Sequence, residues 1–286
     1  MTRRTISGCN KNHMQEFRPG SFQILPPLVK NLIIINAIVF FAQYALEKAG
    51  VDMEGLFALH YFSSPYFHWW QFITYMFMHG NLDHIFFNMF ALWMFGNVLE
   101  NVWGSQRFLV FYLVCGVGAA FCQMGVLGYE FNLFQNDFHT FIQNPTLDQF
   151  ALFIKHHNMD NIEEFKNFLN RWSQNPSEKG FANGAIDGIS SYHSIAINEA
   201  TVGASGAIFG LLFAFGYMFP NAMILVFFFM PMKAKYFVAL YALIELFMGV
   251  RNAAGDQIAH FAHIGGMIFG YILLKIWSKR FGNRYR

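Results

Sequence analysis

Six stretches of the chain are apolar over enough residues to read as candidate membrane helices. They run from Leu32 to Leu46, Leu82 to Leu99, Phe108 to Leu127, Thr201 to Met218, Lys235 to Val250 and Phe261 to Trp277. A helix crossing a bilayer along its normal needs about 20 residues, and several of these fall short. Flanking residues such as Leu25 to Val29 must then extend the first span, or the bilayer must thin around the shorter ones. Phe72 to Met78 and Met223 to Met230 are apolar but too short to cross, so each is expected as an interfacial or re-entrant segment. Pro220 and Pro231 bracket the second of them.

The basic residues give the spans a direction. Arg3, Arg4, Lys11, Arg18 and Lys30 precede the first span, and no small-x-small site closes that span, so it is expected to be an uncleaved helix rather than a signal peptide. Arg107 lies between spans two and three, Lys233 and Lys235 between four and five, and Lys275, Lys279, Arg280, Arg284 and Arg286 at and beyond the end of span six. With the basic side cytoplasmic, both termini lie inside, and Arg251 is the exception. The chain then divides into a cytoplasmic N-terminal segment (1–31), a membrane domain (32–277) and a basic cytoplasmic tail (278–286). The connection 129–200 falls outside, as an insertion between spans three and four with nine acidic and four basic residues, a bias that supports this side only mildly. Within it, Phe150, Phe153 and Ile154, then Ile162, Phe165, Phe168 and Leu169, follow helical spacing, with Asp160 as a cap for the second run. Two short amphipathic helices lying on the outer membrane surface are the simplest arrangement.

Composition agrees with this class. Charged residues make up 13% of the chain, about half the share in a soluble domain, and mean hydropathy is +0.31. A water-soluble fold could not cover so much apolar surface, so the fold class is an all-α polytopic membrane protein. The 37 phenylalanines, 12 tyrosines and 6 tryptophans suit lipid-facing helices with aromatic rings at the interface. A net charge of +2 excludes the electrostatic footprint of a nucleic-acid binder. Cys9, Cys115 and Cys122 are odd in number and two lie in an apolar stretch, which argues against a disulfide scaffold.

Three polar clusters interrupt the apolar spans. Gly203-Ala204-Ser205-Gly206-Ala207-Ile208-Phe209-Gly210 opens span four with a smooth face of small residues that lets a second helix approach. Span six opens with His260-Phe261-Ala262-His263-Ile264-Gly265-Gly266 and repeats the smooth face at Gly266 and Gly270. The topology puts Ser205 and His263 at one depth near the outer surface, where an imidazole can reach a hydroxyl at about 2.6 to 3.2 Å. Span two adds His79, His84 and Asn88, the last two four residues apart and so on one helix face. An amide and an imidazole N–H there, with the Ser205 backbone N–H, could support a developing oxyanion. Each cluster alone has a plain structural explanation, since small-x-x-x-small serines and interhelical His or Asn bonds are common in membrane helices. Their convergence at one depth favours a single site. No carboxylate is expected at the depth of His263, so a Ser–His dyad fits better than a triad; Asp256, in the preceding loop, is the alternative orienting residue.

With these motifs in this order, the sequence resembles the rhomboid family of intramembrane serine proteases. The resemblance runs from roughly Leu32 to Ile276, excluding the outer insertion, and rests on His79 with His84 and Asn88, on Gly203-Ala204-Ser205-Gly206, and on Ala262-His263-Ile264-Gly265-Gly266. It implies a six-helix bundle around a short fourth helix and an integral location, in a bacterial cytoplasmic membrane. It further implies Ser205 as nucleophile, His263 as base, His84 and Asn88 as oxyanion donors, and single-pass membrane proteins as substrates, with no metal or organic cofactor. His79, Gly203, Gly206 and Gly266 are supporting residues. Many members carry Trp-Arg in the loop between the first two helices, where this chain has Trp70-Gln71. The change puts the anchoring of that loop in question. Glu100, after span two, is expected to bind backbone groups or Arg107.

Three other readings remain. Metal-dependent hydrolysis by His79, His84, His260 and His263 lacks an HExxH pattern. An inactive relative would bind or escort membrane helices, although all four proposed catalytic positions are present. Glu245, in mid-span five, could mark an ion pathway, but a satisfied interhelical hydrogen bond is the simpler reading.

Overall fold

The structure is a computed structural model and describes residues 22–178, 180–226, 229–251 and 259–281. Cys9, Arg3, Arg4, Lys11, Arg18, Lys179, Asp256, Arg284 and Arg286 lie outside the described residues.

Helix α1 spans Pro27–Lys48, with Pro27 at its first position, where a missing N–H leaves no bond unmade. Flanking residues do extend this span beyond its apolar centre. Glu100, 3% exposed, satisfies its start: Oε1 and Oε2 accept from the Leu28 and Val29 N–H groups at 3.0 and 2.8 Å, and the Ser105 hydroxyl adds a bond at 2.5 Å. A carboxylate at a helix N-terminus also faces the positive end of its dipole.

Helix α2 (Leu82–Trp103) is capped by Asn81, whose side chain accepts from the His84 N–H at 2.8 Å, and it widens into one π turn over Leu92–Gly96. Helix α3 runs unbroken over Ser105–Gln143, well past the span expected for it. Three helices follow, α4 (Leu147–His156), α5 (Glu163–Gln174) and α6 (Gly180–Asn198). The chain then forms α7 (Ser205–Met218), strands β1 (Met223–Val226) and β2 (Met230–Lys233), α8 (Ala234–Arg251) and α9 (His260–Phe281).

Four of the six expected spans are long and apolar enough to cross a membrane by length and composition: α1, α2, α3 and α9. Helix α7 has only 14 residues, about 21 Å of rise against about 30 Å of hydrocarbon. Helix α8 carries Lys235, Glu245 and Arg251 within its 18 residues. The short helix is also the central one. It is apolar all round, most of it is buried, and α3 and α9 pack closely on it and on each other.

The segment Phe72 to Met78, expected as interfacial or re-entrant, packs largely against the rest of the protein. It folds as a helical turn (Gln71–Thr74) and a 3-10 turn (Tyr75–Phe77), with Phe72, Tyr75, Met76 and Met78 buried among protein side chains. Phe62, Tyr66, Trp69 and Trp70 are exposed rings of this loop. Gln71, whose anchoring of the loop the resemblance puts in question, is fully buried and holds four backbone groups. Its Oε1 accepts from the His60 and His68 N–H groups at 3.3 and 3.1 Å, and its Nε2 donates to the Gly55 and Tyr66 carbonyls at 3.1 and 2.8 Å. Truncation strands all four. Gln71→Ala is therefore expected to lower unfolding free energy by about 2–4 kcal/mol, measured as the unfolding midpoint in mixed detergent micelles. An unchanged midpoint would show that water replaces the amide.

The Met223 to Met230 stretch is the second segment expected as interfacial or re-entrant, and its residues 227–228 lie outside the described ones. Its two ends fold back as an antiparallel hairpin, with Met223 opposite Lys233 and Val226 opposite Met230, so their backbone groups bond to each other.

The cap between α3 and α7 also departs from the expected pair of surface-lying helices. The C-terminal end of α3 supplies Phe134 and Phe141, which pack with Phe150, Phe153, Ile154, Phe165, Trp172 and Ile189 into an aromatic core of its own. Asp160 caps nothing: α5 starts at Glu163 after Ile162, with no side-chain cap. The cap meets the loop below through the Ser64 hydroxyl, which donates to Asn198 Oδ1 at 2.8 Å, and through Tyr61 against Phe131. Leu59 and Thr201 exchange backbone hydrogen bonds at 2.9 and 2.8 Å just before α7.

Candidate active site

Ser205 is the first residue of α7. The opening N–H groups of a helix have no carbonyl within the helix to bond, and they sit at the positive end of its dipole. Gly203, two residues earlier, has φ +120°, a conformation that side chains rarely adopt, and its N–H donates to the Tyr75 carbonyl at 2.9 Å. This turn aims the start of α7 at α9.

The approach is close because both helices are smooth there. A methyl on Gly266 would fall on the Gly206 carbonyl oxygen, one on Gly270 would lie 3.3 Å from the Gly210 carbonyl, and one on Gly206 would meet the Ala119 methyl of α3 at 2.5 Å. Across this contact the His263 Nε2 stands 2.8 Å from the Ser205 Oγ. The imidazole also stacks on Phe209, with centroids 4.1 Å apart and planes 9° from parallel.

Glu245 was missed as part of this cluster. Its Oε2 lies 2.8 Å from His263 Nδ1 and 2.6 Å from His260 Nδ1, and the three residues are 6%, 8% and 7% exposed in the order Glu245, His263, His260. The expectation that no carboxylate reaches His263 is therefore corrected. Glu245 makes an interhelical bond, as its simpler reading had it, but its partner is the histidine beside Ser205. The sequence held a signal for this: His260 and His263 share one helix face in an apolar setting, and Glu245 is the mid-span carboxylate available to them. An ionised carboxylate accepts only, so Glu245 Oε2 would take the Nδ1 protons, and in the neutral tautomer that this selects Nε2 of His263 is the atom able to accept the Ser205 O–H.

The second-span residues arrive at the same place. A methyl on Gly203 would lie 2.7 Å from His84 Nε2 and 3.6 Å from Asn88 Nδ2, so both nitrogens border the backbone just ahead of Ser205. Asn88 Nδ2 is buried and has no hydrogen-bond partner among the described residues. His79 is fully buried behind His84, with ring centroids 5.1 Å apart. Of the expected site residues, Ser205, His263, His84, Asn88, Gly203, Gly206 and Gly266 all converge here, and His79 adjoins them.

Glu245, His260 and His263 also place three donor atoms within 4.8 Å of one another, as do Asp137, His156 and His157 in the cap. The contacts to Glu245, at 2.6 and 2.8 Å, are hydrogen-bond lengths, below the roughly 3.3 Å between ligands that bonds of about 2.0 Å impose around tetrahedral zinc.

A family profile, the Rhomboid domain, matches residues 66–133 and 180–280. The chain belongs to the rhomboid family. The matched stretches contain every residue of the site, whereas residues 134–179, most of the cap, lie outside them. Among relatives, "Rhomboid-like protein 11, chloroplastic" of Arabidopsis thaliana is 33% identical over 88 residues, covering 31% of this chain and 29% of the relative. An uncharacterized mitochondrial rhomboid protein of Schizosaccharomyces pombe is 26% identical over 218 residues, covering 74% and 52%. Rhomboid protease AarA of Providencia stuartii is 30% identical over 97 residues, covering 32% and 34%. The chain thus spans about half or less of the length of these relatives.

Proposed function

We propose that this rhomboid protein is a serine endopeptidase that cleaves transmembrane helices of single-pass proteins near their extracytoplasmic end. The observation that carries this reading is the 2.8 Å contact between Ser205 Oγ and His263 Nε2, with the imidazole held by Phe209 on its face and Glu245 at its far edge. His263 takes the hydroxyl proton as Ser205 attacks the scissile carbonyl. His84, Asn88 and the Ser205 N–H donate to the oxygen as it gains charge, each such donor contributing about 10²- to 10³-fold to rate. His263 then gives its proton to the leaving amine, and water releases the acyl group by the reverse sequence. The relatives named rhomboid proteases, AarA, GluP and GlpG, support the reaction class.

The proposed setting is a bundle of α1, α2, α3, α7, α8 and α9 in a bacterial cytoplasmic membrane, with both termini cytoplasmic and the cap outside, as the basic residues at the span ends indicate. A short α7 is then tolerable because its Ser205 end faces a watery recess instead of lipid. A substrate helix must unwind at its outer end, since an intact helix ties its carbonyls into i to i+4 bonds.

The test uses the full chain in liposomes with a fluorophosphonate probe, followed by peptide mapping. Labelling confined to Ser205, together with cleavage of a co-reconstituted single-span peptide, is expected. A protein that cleaves the peptide while an adduct maps elsewhere would sink the assignment, and one that binds the peptide without cutting it would favour the helix-escort reading.

A further inference from the structure

We propose that Glu245 is the positioning residue of this site, so that hydrolysis runs on a Ser205–His263–Glu245 relay with His260 as its second anchor. The inference rests on the reading of Ser205 and His263 given above. Its geometric core is the order of atoms through one imidazole: Ser205 Oγ at Nε2, Glu245 Oε2 at Nδ1, each at 2.8 Å. With a carboxylate at Nδ1, the proton stays on that nitrogen and the lone pair stays on Nε2, the tautomer that a base facing Ser205 requires. When the serine proton moves to Nε2, the ring becomes a cation one hydrogen bond from a negative charge. That proton goes on to the leaving amine, while the Nδ1 proton never leaves, so Glu245 neither gains nor loses one.

Burial makes this contact count. At 6% exposure for Glu245 and 8% for His263, water does not compete for the bond or screen the charge. A carboxylate in an apolar helix is costly unless partnered, and joining α8 to α9 could be done by apolar packing alone. His260 resolves the cost. One turn before His263 on the same face of α9, its Nδ1 donates to the same oxygen at 2.6 Å, so Oε2 receives two N–H bonds. The carboxylate is thereby held in place and kept an acceptor. Phe209, stacked on the ring, removes the remaining freedom to swing out of line.

The experiment compares Glu245→Gln, Glu245→Asp and Glu245→Ala in full-length protein in liposomes, with the single-span peptide and the fluorophosphonate probe. Glu245→Gln keeps shape and hydrogen bonding but not charge. It is expected to lower kcat about 10²- to 10⁴-fold with KM within about threefold, and to slow Ser205 labelling in parallel. Glu245→Asp, which keeps the charge, is expected to recover at least about tenfold of what Glu245→Ala loses. In a His263→Ala background, Glu245→Gln is expected to change residual labelling less than about twofold, since a residue acting through His263 has nothing left to act on. A merely structural tie predicts the opposite order, with the isosteric Glu245→Gln near wild type. That outcome overturns the relay, as does an equal loss with and without His263, or a Glu245→Asp protein no better than Glu245→Ala should Glu245→Gln fail to fold. If Ser205→Ala abolishes cleavage and Glu245→Gln does not, only the relay fails; if Ser205→Ala still cleaves, the protease reading fails with it.

Discussion

Ser205→Ala is expected to reduce cleavage of a single-span substrate by at least about 10⁴-fold, with little change in folding. Two physical facts set the size of the loss. Removing a hydroxyl nucleophile eliminates the covalent route altogether, and in serine hydrolases this costs about as much as removing the whole catalytic group set. What survives is the donor array around Gly203, which can polarise a carbonyl for direct attack by water and is worth about 10³- to 10⁴-fold over the uncatalysed reaction. The structural cost is small. The Ser205 side chain is only partly buried and, among the described residues, makes a single hydrogen bond, to His263; its removal takes about 1 kcal/mol from stability. The measurement is cleavage in liposomes alongside the unfolding midpoint of the same preparation. A dead variant with a collapsed midpoint would leave the chemistry unassigned to Ser205, so the pair of readouts carries the prediction, and retained cleavage defeats it outright.

Gly266→Ala is the second large effect, and it acts through packing. The added methyl would occupy the position of the Gly206 carbonyl oxygen, which is backbone inside a central helix and cannot rotate away as a side chain could. Gly206 is itself pressed against Ala119 of α3, so α7 has no room to retreat. Helix α9 must therefore lift, by an ångström or so, over the turn that also carries His263. Overpacking of this kind costs about 1–3 kcal/mol, occasionally more. A shift of about 1 Å at the reacting atoms costs about 10²-fold in rate on its own. The expected result is a lower unfolding midpoint and a cleavage rate reduced at least about 100-fold. Gly125→Ala is the control: the space beyond that mid-helix glycine is open for 4 Å, and no loss of stability, with a gain of up to about 1 kcal/mol, is expected. Wild-type behaviour of Gly266→Ala would mean that α7 and α9 do not meet through these glycines.

Legibility in the sequence varied with the range of the interaction that mattered. The helices could be read because apolar runs and proline positions are local, although α3 outran its apolar pattern: beyond Leu127 its rings serve the cap, and Phe134 and Phe141 look like loop residues until Phe150 and Trp172 pack on them. Gln71 was flagged as a weak anchor. Its strength was hidden because the His60 N–H and the Gly55 carbonyl that it binds lie 11 and 16 residues away along an irregular chain. Glu245 was read correctly as bonded between helices, but not to which partner. A helix's face toward its neighbour is set by how the bundle packs, and nothing local to α8 states it.

From the sequence alone came the membrane class, the glycine faces that let α7 and α9 touch, and the pairing of Ser205 with His263 at one depth, because hydropathy, residue size and span order are carried by the chain itself. The tertiary structure decided that the 129–200 insertion has its own aromatic core and that a buried carboxylate stands behind His263. Each of these depends on side-chain contacts between segments far apart in the chain. Spacing constrains such contacts, but only close packing selects them.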